Sequence, residues 1–83
     1  MKAEKTTFEV EGINEPCILV KSDDDFVQVR ISTSYHYYGP NQLFVAEYLD
    51  GDFNSMEEIM GDFKSLTLSE AKQIAKQHSA YLR

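Results

Sequence analysis

"QLFVAEYLDGDFNSMEEIMG", residues 42–61, decides the fold of this chain, because it can be divided between strand and helix in more than one way. Phe44, Val45 and Tyr48 favour a strand, whereas Ala46, Glu47 and Leu49 tolerate a helix. We read 42–49 as a strand ended by Asp50-Gly51. Both of its faces are partly apolar, which suits an inner strand or a covered one. Beyond it, "SMEE" matches a capping box, with Ser55 as the cap and Glu58 three residues later. Met56, Ile59, Met60 and Phe63 then recur at helical spacing, and Gly61 supplies a C-terminal cap. The expectation is a short helix over about 55–61.

The segments on either side are simpler. In "TTFEVEG", Phe8 and Val10 alternate with Thr7, Glu9 and Glu11, and "FVQVRIST" sets Val27, Val29 and Ile31 against Gln28, Arg30 and Ser32. "CILVK" is a short apolar run, with "NEP" (14–16) and "SDDD" (22–25) as the connections around it. "TLSE" repeats the capping signature with Thr67 and Glu70. It opens the longest helix, on which Leu68, Ala71, Ile74, Ala75, His78 and Leu82 form one stripe. The expected architecture is α+β: a four-stranded antiparallel meander (about 4–11, 17–21, 26–33 and 42–49), the short helix 55–61, and a helix over 67–82 packed on one face.

With 83 residues, the chain is read as one domain, 1–83, with a small core. Its single cysteine, Cys17, leaves stability to packing and suits a reducing compartment. "MKAEKTTFEVEG" carries charge where a signal peptide needs an apolar stretch, and no run approaches the ~20 residues of a membrane span, so the expected location is cytoplasmic. The net charge is −6, and its distribution is uneven. Residues 22–63 hold nine acids and one base, while 64–83 hold four bases and one acid. That balance argues against direct binding to nucleic-acid backbones, which needs a basic patch.

In a meander, alternate connections share an end of the sheet. The Tyr-rich loop 34–41, with Tyr35, His36, Tyr37 and Tyr38, is expected at one pole. Asp23, Asp24, Asp25, Asp50 and Asp52 are expected to converge on the other, with Glu57 and Glu58 near. Tyrosine favours interfaces because it buries a large area at low entropic cost. Clustered carboxylates steer a basic partner surface. "DGDFNSMEE" also resembles the start of a calcium loop, but Ser55 stands where the turn wants glycine and Gly61 where the bidentate glutamate belongs. A solvated turn is the better reading.

Catalysis has less behind it. Cys17 has no histidine placed beside it by sequence, His36 lacks a second ligand at suitable spacing, and His78 sits on an apolar stripe. No nucleophile elbow, phosphate-cradling glycine loop, HExxH or CxxC occurs.

The expected function is therefore a non-catalytic protein-binding or small inhibitory module. It would contact a protein with a basic patch through Tyr35, His36, Tyr37 and Tyr38 and through Asp24, Asp25, Asp50 and Asp52. Self-association into a homodimer is a variant of that reading. No metal, cofactor or membrane partner is implied. The alternatives are a calcium-binding domain at Asp50–Glu58 and an acidic inhibitor of the phage type that occupies a nucleic-acid-binding surface.

Overall fold

A computed structural model describes residues 1–33 and 41–82. Five antiparallel strands, β1 (Lys2–Val10), β2 (Ile13–Lys21), β3 (Val27–Thr33), β4 (Gln42–Leu49) and β5 (Asp52–Met60), form one sheet in sequence order. A 3-10 turn (Phe63–Ser65), the helix α1 (Leu68–His78) and a second 3-10 turn (Ala80–Leu82) follow. The class is α+β as expected, but the sheet has five strands rather than four, and there is one α-helix rather than two.

The difference lies in residues 52–60. The expected helix over 55–61 is instead β5, paired along its length with β4. Asp50 (φ 50°) and Gly51 (φ 84°) form a two-residue hairpin with Leu49 opposite Asp52. Positive φ at both positions is the geometry whose twist matches that of the flanking strands. Once that turn forms, the next residues are held beside β4, and the ladder outweighs the capping box at Ser55. A register shift at Glu47/Tyr48 leaves Asn54 as the extra residue of a bulge.

The first hairpin also differs from expectation. β2 begins at Ile13 rather than about 17, so "NEP" lies within a strand and the turn is Glu11-Gly12 (φ 51° and 81°). Pro16 is accommodated because it pairs with β1 only; the β2–β3 ladder starts at Cys17. Its missing N–H therefore costs no bond to β3.

The core lies between one face of the sheet and α1. Ile18, Val20, Val29, Ile31 and Val45 are fully buried there with Leu43, Ala71 and Ala75. The two alanines let the helix approach the sheet closely, and Leu66 and Leu82 close the ends of the layer. Each buried Val, Leu or Ile contributes about 1.5–3 kcal/mol. Thr67 caps α1: its hydroxyl accepts from the Glu70 N–H at 3.1 Å, and the Glu70 carboxylate accepts from the Thr67 N–H at 3.0 Å. The expected helix over 67–82 is thus correct at its start. It stops at His78, where Ser79 adopts an extended conformation.

Candidate functional site

The register assigns every strand residue to one of two faces. The face under α1 carries Ile18, Val20, Val29, Ile31 and Val45. The opposite face carries Phe8 and Val10 from β1, Ile13 and Leu19 from β2, Arg30 from β3, Phe44 and Tyr48 from β4, and Phe53, Met56 and Met60 from β5. The described helical segments pack on the first face and leave the second uncovered by them. Among the described residues, eight large hydrophobic side chains are exposed, and five of them, Val10, Ile13, Phe53, Met56 and Met60, belong to this second face. Single exposed apolar residues are ordinary; here they gather on one face, Val10 and Ile13 at its β1–β2 edge and Phe53, Met56 and Met60 at its β5 edge.

The centre of this face is organised around Arg30. Its guanidinium carbon stands 4.1 Å from the Phe8 ring centre and 5.3 Å from that of Tyr48, within cation–π range of both. Tyr48 also meets Phe53 edge to face, 5.9 Å between centroids. A shallow cavity of about 270 Å³ opens here, with Thr6, Phe8, Cys17, Leu19, Arg30 and Tyr48 among its lining. Cys17 is buried beside it, and that burial pushes the thiol above its ordinary pKa, with the Arg30 charge opposing in part. A nucleophilic cysteine needs the reverse shift.

The acidic turns do share one end of the sheet, since the Asp50 N–H donates to the Phe26 carbonyl at 2.7 Å. Within that pole the aspartates are employed by the turns themselves. Asp24 accepts from the Ser22 hydroxyl (2.6 Å) and the Phe26 N–H (3.1 Å), and these two bonds, in that order, hold its carboxyl below the usual range. Asp25 and Asp50 occupy left-handed backbone positions, which Asp tolerates better than most residues. Asp23 pairs with the N-terminal ammonium, which lowers its pKa. Asp52 begins β5 and is exposed.

Glu57 and Glu58 do not join this pole, because β5 carries them along the sheet to stand opposite Val45 and Phe44. With a strand rather than a helix running through residues 52–60, the helix that would close a calcium loop there does not form. Among the described residues no group of three or more His, Cys, Asp or Glu is placed to hold a metal ion. Tyr35, His36, Tyr37 and Tyr38 lie outside the described residues.

Sequence reasoning missed one polar cluster. His78 at the end of α1 reaches two β5 side chains: Nδ1 stands 2.6 Å from Glu57 Oε1, and Nε2 stands 3.1 Å from Ser55 Oγ. A carboxylate only accepts, so Nδ1 carries the proton that faces Glu57, while Nε2 accepts from the Ser55 hydroxyl in the neutral ring and donates to it in the imidazolium. The order is that of a nucleophile, base and acid, but acyl transfer also requires oxyanion donors and room for an acyl group. Among the cavities lined by described residues, one is lined by Gln42, Met56, Glu57 and Glu58 and another includes Leu43, Met60, Gly61 and Ile74; Ser55 lines neither of these. The arrangement works as a clasp between helix and edge strand. Nearby, buried Glu47 accepts from Asn54 Nδ2 at 2.7 Å, so the bulge residue supplies that carboxylate with a partner. The signal for both was the alternation of Ser55, Glu57 and Ile59, legible only with 52–60 taken as a strand.

No protein-family model, no curated protein and no solved structure matches this chain.

Proposed function

We propose that this protein is a non-catalytic protein-binding module that works through the second face of its sheet. The carrying observation is the concentration of exposed Val10, Ile13, Phe53, Met56 and Met60 on the face opposite α1. The Phe8–Arg30–Tyr48 stack at its centre supplies aromatic surface and a guanidinium, the side chains that dominate binding energy at protein interfaces. Asp25, Asp50 and Asp52 rim one end of the sheet and steer the approach of a surface with a basic patch, while discouraging phosphate backbones.

A photo-crosslinking amino acid in place of Phe53, expressed in cells, tests this reading. The expected result is a discrete protein adduct that is absent when the same group replaces Tyr81, exposed on the far side of the molecule. Equal, diffuse labelling from both positions would contradict it.

A further inference from the structure

Resting on that reading, we infer that the occupant of the second face is another copy of this chain, stacked face to face with its strands antiparallel to those of the first. Three observations lead to it. The first is charge. The face carries Lys2, Lys21 and Arg30 against Glu4, Glu15 and Glu58, three of each sign. Removing these from the chain's eight bases and fourteen acids leaves five and eleven, so the whole net charge of −6 resides elsewhere. Two copies repel through every surface that shares this excess, and the second face is neutral as well as apolar.

The second observation is how those charges are ordered along the strands. Lys2 and Lys21 stand opposite each other beside the acidic turns, with Glu4 and Arg30 one row further in, giving a net +2. Glu58 stands in the middle row, level with Thr6, Cys17, Ser32 and Phe44, and Glu15 in the row beyond it, giving −1 towards the other end. A two-fold axis running across the strands keeps the positive rows of the two copies at opposite ends, each over rows of the other copy that hold no cation. The same axis holds the two acidic poles at opposite ends. An axis along the strands would set +2 on +2 and pole on pole. Electrostatics therefore selects the first arrangement.

The third observation is area. Five strands spaced about 4.8 Å apart and seven to nine residues long present roughly 700 Å² per copy. Two such faces bury about 1,400 Å², within the range of specific stable interfaces. Face-to-face stacking of sheets is itself a standard packing mode.

Sedimentation equilibrium on the full chain at about 100 μM tests the inference. The expected mass is twice 9.5 kDa. Ile13→Lys with Phe53→Lys is expected to weaken the dimer at least tenfold while circular dichroism shows the fold retained, since both side chains are exposed. A 9.5 kDa species under these conditions, or a dimer indifferent to Ile13→Lys/Phe53→Lys, would overturn the inference. A monomer whose Phe53 crosslinks in cells to other proteins would overturn the dimer alone and leave the binding reading standing.

Discussion

A methyl group added at Gly61 would stand 2.5 Å from Leu43 Cδ1 and 3.1 Å from its Cγ, at the point where the chain leaves β5. Gly61 also donates its N–H to the Asn41 carbonyl at 2.8 Å, so it cannot move away without breaking the end of the β4–β5 ladder. Gly61→Ala is expected to cost about 1–3 kcal/mol. Its melting temperature should fall by ~4–8 °C for each kcal/mol, read by calorimetry against the unchanged chain. Titration belongs to this scale as well. Hydrogen bonds hold the Asp24 carboxyl below its ordinary value, and those from Thr67 do the same for Glu70. Both groups bind protons more readily unfolded than folded. Their contribution to stability is thus complete above about pH 5 and is lost as pH falls. Asp24→Asn with Glu70→Gln should flatten the acid limb of the stability curve. Cys17, with its pKa raised by burial, should react slowly with iodoacetamide when folded and rapidly in denaturant.

At the scale of elements, β5 is where reading and structure part. Met56, Ile59 and Met60 fit helical spacing, yet Met56, Glu58 and Met60 also alternate with Ser55, Glu57 and Ile59. Local pattern does not choose between these periods. The choice is made by Asp50-Gly51, a two-residue turn that returns the chain alongside β4. Glu11-Gly12 makes the corresponding hairpin, which "NEP" obscured because proline suggests a turn where the strand merely lacks a neighbour. β3, β4 and the start of α1 were legible, since each satisfies one period and one set of end signals. Gly51→Ala, at φ 84°, is expected to cost about 1 kcal/mol through backbone strain, although nothing crowds its Cβ, whereas Asp50→Asn should be tolerated. The clasp joins β5 to α1, so His78→Ala should cost about 1–2 kcal/mol and speed amide exchange in Ser55–Glu57 more than in β2.

For the whole molecule, the alternation that makes a core on one side of a sheet also dictates what stands on the other. The separation of Val29 and Ile31 from Arg30 was visible in the sequence, and so was the placing of the acidic turns at one end. The second face was not, because three of its exposed apolar residues, Phe53, Met56 and Met60, lie on the strand read mainly as helix. Both edges of the sheet are protected against further pairing: β1 carries Lys2, Glu4, Lys5 and Glu9, and β5 carries a bulge with Glu57 and Glu58. On the proposed reading, association is thereby directed to the face. Among the described residues no helix is long and apolar enough to cross a membrane.

Methionine oxidation measures the cover on that face most directly. Met56 and Met60 are 55% and 77% exposed in the isolated chain, and peroxide converts accessible methionine to sulfoxide, which mass spectrometry counts residue by residue. The account predicts rapid oxidation of both in dilute purified protein, and protection of both inside cells or at high concentration. Equal oxidation of Met56 and Met60 in dilute, concentrated and cellular samples would contradict it.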